Sequence, residues 1–283
     1  MNVGTDPHVA ASALRELRGR ILLVGAGKMG SALLQGWLAL GISPDKLAVI
    51  EPQPSQEITA LSGGGVRLNP PQTPDWEIAA LVLAIKPQVA PEIISSLAPI
   101  VGTGTVVVSI MAGRTLRFLE SGFAGGAIVR AMPNTPAAIG RGITVAVPNA
   151  RVTPEQHELV HGILSAVGSV EWAADEALMD AVTALSGSGP AYVFLLTEAM
   201  ARAGHAAGLP RGLAQSLARA TVAGSGELLH RSSVDPAILR QNVTSPGGTT
   251  AAALEVLMAA NGLEQLMTSA IAAATKRSRE LAG

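Results

Sequence analysis

Residues 20–51 constrain the fold more than any other stretch of the chain. Arg20–Gly25 reads RILLVG, a short continuous apolar run. Gly25-Ala26-Gly27-Lys28-Met29-Gly30 follows, then an apolar helical stretch, Ser31–Leu40, and a second strand-like run, Leu47–Glu51. Strand, glycine turn, helix and strand within about 30 residues make the unit from which parallel sheets are built. A Gly-x-Gly-x-x-Gly pattern is weak evidence by itself in a chain with 31 glycines. Its context gives it weight, because it leaves a strand, opens a helix and is followed by an acidic residue at a strand end, Glu51.

Each glycine has a physical task in such a loop. Gly25 permits the tight turn, Gly27 lets backbone approach a pyrophosphate, and Gly30 lets the helix pack close to the strand. The helix N-terminus then meets phosphate with free N–H groups and a favourable dipole. The expected ligand is a dinucleotide cofactor held at Gly25, Ala26, Gly27, Lys28, Met29 and Gly30; the bland alternative is a glycine turn that only packs. A carboxylate at Glu51 accepts a hydrogen bond from a ribose 2′-OH and repels a 2′-phosphate. No Arg or Lys lies between Leu47 and Ile58 to take up that phosphate. The expectation is therefore that NADH binds at least as well as NADPH, unless Glu51 is simply a solvated loop residue.

The alternation continues downstream. Ala79–Ile85, Thr105–Ile110, Ala127–Ala131 and Ile143–Val147 read as strands, and Pro91–Leu97, Leu116–Ser121 and Pro154–Val167 as helices, the last capped by Thr153. Past Gly168 the β-rich runs vanish and alanine rises. Helices are expected at Glu176–Leu185, Pro190–Ala207, Gly212–Arg231, Pro236–Val243 and Thr250–Asn261, with a final one through Arg279. The fold class is α/β: a doubly wound parallel sheet, then an all-helical part, with the boundary near residue 170. Residues 1–19 are expected to form a short N-terminal extension, 20–170 to bind the dinucleotide and 171–283 to form the helical domain.

Composition excludes other classes. There is no cysteine, so no disulfide scaffold, thiol chemistry or Cys-zinc site. A net charge of −1 leaves no nucleic-acid footprint. A mean hydropathy of +0.37 raises the question of a membrane. The charge-free run Ile93–Gly113 is, however, interrupted by Pro99, Gly102 and Gly104 and ends in Val106–Val108. That is helix, turn and buried strand, not a span. Met1–Gly19 holds four charged side chains and no long apolar core, so no signal peptide is read there. The expected setting is soluble and cytoplasmic.

His157-Glu158-Leu159-Val160-His161 matches the zinc-peptidase pattern H-E-x-x-H. The two histidines flank an apolar stripe of Val160, Ile163, Leu164 and Val167, and no downstream motif offers a third ligand. No metal is expected. Arg130-Ala-Met-Pro-Asn-Thr-Pro136 sits at a strand end, where ligands bind in doubly wound sheets, and Asn134 offers both a donor and an acceptor. Ala84-Ile85-Lys86-Pro87 and Ser109–Gly113 end strands on the same edge and are candidates to contact nicotinamide or ribose. In Thr244-Ser-Pro-Gly-Gly-Thr-Thr250, Ser245 can cap a helix and Pro246 suits its first position. Gly247, Gly248, Thr249 and Thr250 then supply N–H groups for an anion such as a carboxylate.

Four segments together resemble one family. Gly25–Gly30, Arg130–Pro136, Leu185-Ser-Gly-Ser-Gly-Pro-Ala-Tyr192 and Asn242-Val-Thr-Ser-Pro-Gly-Gly-Thr-Thr250 are similar, in order and spacing, to those of pyrroline-5-carboxylate reductases. The resemblance runs from Arg20 onward. It implies reduction of Δ1-pyrroline-5-carboxylate to L-proline with NAD(P)H, a Rossmann domain, and a helical domain that dimerises by interleaving helices, with dimers often forming decamers. It implies that Ser245, Gly247, Gly248, Thr249 and Thr250 hold the substrate carboxylate and ring nitrogen, with the Thr250 hydroxyl facing the imine nitrogen. It places Lys86, Pro87, Met111, Ala112 and Asn134 near the cofactor, beside the strand-end candidate Ala84. One departure stands out: Glu51-Pro52 replaces the hydroxyl residues that often follow the second strand in this family. Two alternatives remain. A related two-domain dehydrogenase or imine reductase would be marked by a catalytic lysine in the first long helix, and Glu176–Gly204 contains none. A non-catalytic dinucleotide sensor would have no need of the Ser-Pro-Gly-Gly-Thr-Thr segment.

Overall fold

The structure is a computed structural model that describes Leu14, residues 17–71 and residues 77–282. Most of the expected N-terminal extension lies outside the described residues. Leu14 and Leu17, which are described, are buried in the core. The chain divides into two compact units, one running through Gly187 and taking in Lys276 onward, the other Ser188–Thr275.

The first unit is built on an eight-stranded sheet. Its strands are β1 (Arg20–Val24), β2 (Leu47–Ile50), β3 (Arg67–Leu68), β4 (Ile78–Leu83), β5 (Val106–Ser109), β6 (Ala127–Met132), β7 (Gly142–Pro148) and β8 (Gly168–Trp172). The spatial order is β3-β2-β1-β4-β5-β6-β7-β8. All neighbours pair in parallel except β6 and β7. The chain thus winds outward from β1 to one edge and then from β4 to the other, which leaves a crevice beyond the carboxyl ends of β1 and β4. The sheet extends to Trp172, past residue 170.

Parallel strands are covered on both faces, and the side chains sort by alternation. Ile21, Leu23, Leu47, Val49, Val106, Val108 and Val129 join one apolar core. Leu22, Val24, Ala48, Val107 and Ile128 join the other. The first core is covered by α1 (Lys28–Ala39) and α5 (Pro154–Ser165), the second by α3 (Ala90–Leu97) and α4 (Leu116–Gly122). A short α2 (Gln56–Gly63), not anticipated from the sequence, follows β2. In the first core, Trp37 is fully buried and its indole N–H donates to the Ile163 carbonyl at 2.9 Å. Gly36 makes that approach possible: a Cβ there would lie 2.6 Å from the Ala166 carbonyl oxygen. α5 starts with a full capping box between Thr153 and Gln156.

After β8, the helix expected over Glu176–Leu185 is three short pieces. A 3₁₀ turn (Glu176–Leu178) leads into α6 (Met179–Val182) and then into a π turn, Thr183–Gly187. Near the chain's end, the Ser278 hydroxyl donates to the Asp180 carboxylate at 2.7 Å.

The second unit is helical: α7 (Gly189–Ala206), α8 (Arg211–Arg231), α9 (Pro236–Asn242), α10 (Thr249–Leu257) and the body of α11 (Leu263–Ala282). It has little core of its own. α7 buries no residue and α8 buries only Ala214 and Ala218, while Phe194, Leu195, Leu228, Val256 and Leu266 are each more than half exposed. Surfaces of this kind mark association sites. No helix among the described residues is long and apolar enough to cross a membrane.

Candidate functional site

The glycine loop has the shape its sequence demands. Gly25 sits at φ 91°, and a Cβ there would meet the Ala84 carbonyl oxygen at 2.6 Å. At Gly30 a Cβ would lie 2.1 Å from the Gly25 carbonyl oxygen, so α1 reaches its position only with glycine there. Gly27 is different: nothing lies within 4 Å of its would-be Cβ. The backbone there is open to a ligand. Gly27 caps α1 without any side-chain hydrogen bond, and the first turn carries no acidic residue. The helix start therefore keeps free N–H groups and an unopposed dipole for phosphate. Ala26 and Met29 pack toward the first core, and Lys28 is exposed.

Glu51 follows β2 and faces this loop. One carboxylate oxygen accepts the Ala26 backbone N–H at 2.8 Å and the other the Gln53 N–H at 3.1 Å. It is thus fixed at the loop rather than solvated at random. The hydroxyl nearest in sequence, Ser55, is already used: its oxygen caps α2 by accepting the Ile58 N–H.

The remaining cofactor candidates line the carboxyl edge. The Ala84 N–H bonds the Val24 carbonyl at 2.8 Å, which seats Ala84 behind the glycine loop. Lys86 is exposed and precedes a 3₁₀ turn begun by Pro87, whose carbonyl accepts two N–H groups of Arg114, at 3.0 and 2.5 Å. The Met111 side chain is 3% exposed and belongs to the second core, so only its main chain faces the edge. Ala112 is exposed beside it. The Asn134 amide oxygen accepts the Ile143 N–H at 3.0 Å, which pins the Met-Pro-Asn-Thr-Pro loop to β7. Arg130, also in that motif, is nearly buried and pairs with Glu176 at 2.7 Å; the same Glu176 oxygen accepts the Leu116 N–H at 2.7 Å.

The second unit carries the other half of the predicted chemistry. The helix there begins at Thr249 and is capped by Gly248, not by Ser245 as the sequence suggested. Gly247 adopts φ 69°, a left-handed conformation that interrupts helix after Pro246. Ser245 instead closes a turn: its carbonyl accepts the Gly248 N–H at 3.0 Å. A Cβ on Gly248 would lie 2.6 Å from the Ser245 hydroxyl. No side chain caps α10 and no acidic residue stands in its first turn. The N–H groups of Thr249, Thr250 and Ala251 thus open the helix without a side-chain cap, with Thr250 on the same turn.

The H-E-x-x-H pair has a packing explanation. The His157 ring stacks on Trp172 with centroids 3.8 Å apart, and the Trp172 indole N–H donates to His161 Nδ1 at 3.2 Å. Burial holds both imidazoles below their ordinary pKa, with Glu158 opposing this at His157. At His161 the neighbouring His157 adds to the lowering and Glu171 opposes it. Among the described residues no group of three or more His, Cys, Asp or Glu could hold a metal ion.

Comparison with known proteins follows the same division. A pyrroline-5-carboxylate reductase dimerisation model matches residues 176–281, and an NADP oxidoreductase, coenzyme F420-dependent, model matches residues 20–113. A pyrroline-5-carboxylate reductase of Synechocystis is 42% identical over 92% of this chain and 97% of that protein. The chain belongs to the pyrroline-5-carboxylate reductase family. Among solved structures, the reductase from Coxiella burnetii matches with a TM-score of 0.87 and 33% identity, covering 94% of this chain and 99% of that one. The Plasmodium falciparum reductase, solved with NADP bound, matches at TM-score 0.77 and 28% identity over 94% of this chain and 98% of that one. The cradle at Gly25–Gly30 fits a nicotinamide dinucleotide, as membership of a pyrroline-5-carboxylate reductase family requires.

Sequence reasoning passed over two features of the first unit. Asn69 bonds the Glu51 main chain in both directions, and its signal is an asparagine directly after a short strand. The π turn Thr183–Gly187 buries the Ser186 hydroxyl without a partner; only its glycines hinted at irregular backbone.

Proposed function

We propose that this chain reduces Δ1-pyrroline-5-carboxylate to L-proline, the last step of proline synthesis, with hydride from a nicotinamide dinucleotide. The observation that carries this reading is the near full-length relationship to a pyrroline-5-carboxylate reductase. The cofactor, when bound, supplies the hydride. Gly27 and the start of α1 receive its pyrophosphate, and Lys86, Pro87, Met111, Ala112 and Asn134 shape the edge that meets its nicotinamide half. The N–H groups at the start of α10, with Ser245, Gly247, Gly248 and Thr249, anchor the substrate carboxylate, and the Thr250 hydroxyl orients the ring nitrogen.

The substrate explains why no acid–base dyad is needed. A protonated cyclic imine is already electrophilic, so the protein's work is placement and exclusion of water. Thr250 acts by holding the ring nitrogen in one orientation. Glu51 adds that NADH is accepted at least as well as NADPH, since its fixed carboxylate suits a 2′-OH and opposes a 2′-phosphate. Residues 20–170 form the dinucleotide-binding part and 171–283 the substrate and dimerisation part. The exposed apolar faces of α7 and α8 support a homodimer of interleaved helices; assembly of such dimers into a decamer, and a cytoplasmic setting, complete the proposal.

One assay tests the reaction. Loss of NADH or NADPH absorbance on adding Δ1-pyrroline-5-carboxylate, with proline as the product, is expected; no oxidation with either cofactor would remove this reading in favour of a sensor or of another imine substrate.

A further inference from the structure

Among the described residues, Asn69 is the one non-glycine with a positive φ, 47°. Asparagine tolerates that region better than other residues, but it still carries a cost, and such outliers gather at functional positions. Asn69 directly follows β3, whose ladder with β2 has only two rungs, Ala48↔Arg67 and Val49↔Leu68. The Asn69 N–H donates to the Val49 carbonyl at 2.7 Å. Its side chain then takes over where the ladder stops. The Glu51 N–H donates to Asn69 Oδ1 at 2.8 Å, and Asn69 Nδ2 donates to the Glu51 carbonyl at 3.0 Å. One side-chain amide imitates the missing strand residue and satisfies both main-chain groups of Glu51.

That contact sets the direction in which the Glu51 side chain leaves the backbone, and the Ala26 and Gln53 N–H groups then hold its carboxylate. Glu51 lies beyond the end of β2, where main chain is ordinarily free to turn. With both its N–H and its carbonyl fixed, its Cα–Cβ bond starts in one direction, from which the carboxylate reaches the N–H groups of Ala26 and Gln53. We propose that Asn69 is a positioning residue for cofactor discrimination: its amide locks the Glu51 main chain, and so holds the carboxylate at the point where it receives a ribose 2′-OH and repels a 2′-phosphate. This rests on the reading of Glu51 as the residue that meets the ribose.

The test uses dissociation constants of NADH and NADPH, measured by calorimetry without substrate, for the full-length protein, Asn69→Gly, Glu51→Ala and the double variant. Glycine keeps the left-handed backbone and removes both hydrogen bonds. Asn69→Gly is expected to weaken NADH about fivefold, the loss of roughly one net hydrogen bond. NADPH is expected to bind no worse, so the NADPH-to-NADH ratio of dissociation constants falls. In the Glu51→Ala background, Asn69→Gly is expected to leave the ratio where it is, because the two act as a unit. A ratio that moves with Glu51→Ala but not with Asn69→Gly overturns the role of Asn69 and leaves that of Glu51 standing. A ratio indifferent to Glu51→Ala overturns both. Equal weakening of both cofactors by Asn69→Gly, with a lower Tm, reduces Asn69 to a strand terminator and also overturns the proposal. Should the glycine variant fold poorly, Asn69→Ser, too short to bond both main-chain groups, carries the same expectations.

Discussion

The Glu51 carboxylate accepts the Ala26 backbone N–H at 2.8 Å, so the residue that follows β2 is bonded directly to the loop that follows β1. Two main-chain N–H groups hold that carboxylate at the loop. Glu51→Ala is expected to move the NADPH-to-NADH ratio of KM values about tenfold in favour of NADPH, equivalent to ~1.4 kcal/mol. Steady-state kinetics with each cofactor checks it, and an unchanged ratio would count against Glu51 as the discriminating group.

Gly30 and Gly27 share a loop yet should fail differently. A methyl at Gly30 strikes the Gly25 carbonyl, whereas one at Gly27 meets open space. Gly30→Ala is therefore expected to lose about 1–3 kcal/mol of stability through overpacking. Gly27→Ala should unfold at nearly the parent temperature while binding cofactor more weakly. Thermal melts and cofactor titrations on the two variants separate the cases; a destabilised Gly27→Ala would contradict the open approach.

Thr250 is the side chain assigned to the substrate ring nitrogen. Thr250→Ala is expected to lower kcat/KM by roughly 10-fold to 100-fold, the range for losing one hydrogen bond that matters most in the transition state. Cofactor affinity should stay near the parent value. Unchanged turnover would remove Thr250 from the mechanism.

Arg130 is nearly buried against Glu176, which also holds the Leu116 N–H. Removing one partner of such a pair leaves an uncompensated charge. Arg130→Met is expected to cost roughly 3 kcal/mol in chemical denaturation. Glu176→Gln keeps an acceptor for Leu116 but strands the more deeply buried of the two charges, so a loss of similar size is expected. Little loss in either variant would show that the pair is not what matters there.

The histidines stacked on and bonded to Trp172 give a pH dependence. Burial lowers both pKa values from their ordinary 6.5, so the unfolded chain takes up protons before the folded one does. The stability associated with these neutral rings is fully present above pH 6.5 and is lost as pH falls below it toward the folded values. Tm measured from pH 7.5 down to 5 should decline less steeply in a His157→Gln/His161→Gln variant, allowing about one unit either side of the ordinary value. Parallel curves would deny the histidines that part.

The central strands were legible because strands buried on both faces read as unbroken apolar runs, as in Ile78–Leu83 and Val106–Ser109. β8 was missed for the opposite reason. Its sequence, Gly-Ser-Val-Glu-Trp, alternates partly buried and exposed positions at the sheet edge and includes a charge. β3 is only two residues long, and α2 sits in a stretch whose helical start is marked by little more than Ser55. In the substrate segment, Ser245-Pro246 imitates a cap and first turn. The left-handed Gly247 delays the helix to Thr249, and no propensity scale reads a torsion angle from composition. Gly25 and Gly30 were legible because each has one steric cause, the close approach of a carbonyl oxygen, whereas Gly27 has none within the chain. The amide of Asn69 was not, because it works through a contact 18 residues away in sequence.

The bare helical unit has a consequence for the protein's life before catalysis. With α7 burying nothing, that part of the chain gains its apolar contacts from a second subunit in the proposed homodimer, which makes folding there a bimolecular event. Dilution then acts as a denaturant: Tm should rise with protein concentration, as mass action requires when assembly and folding are linked. A newly made subunit would be in danger of proteolysis until it meets another.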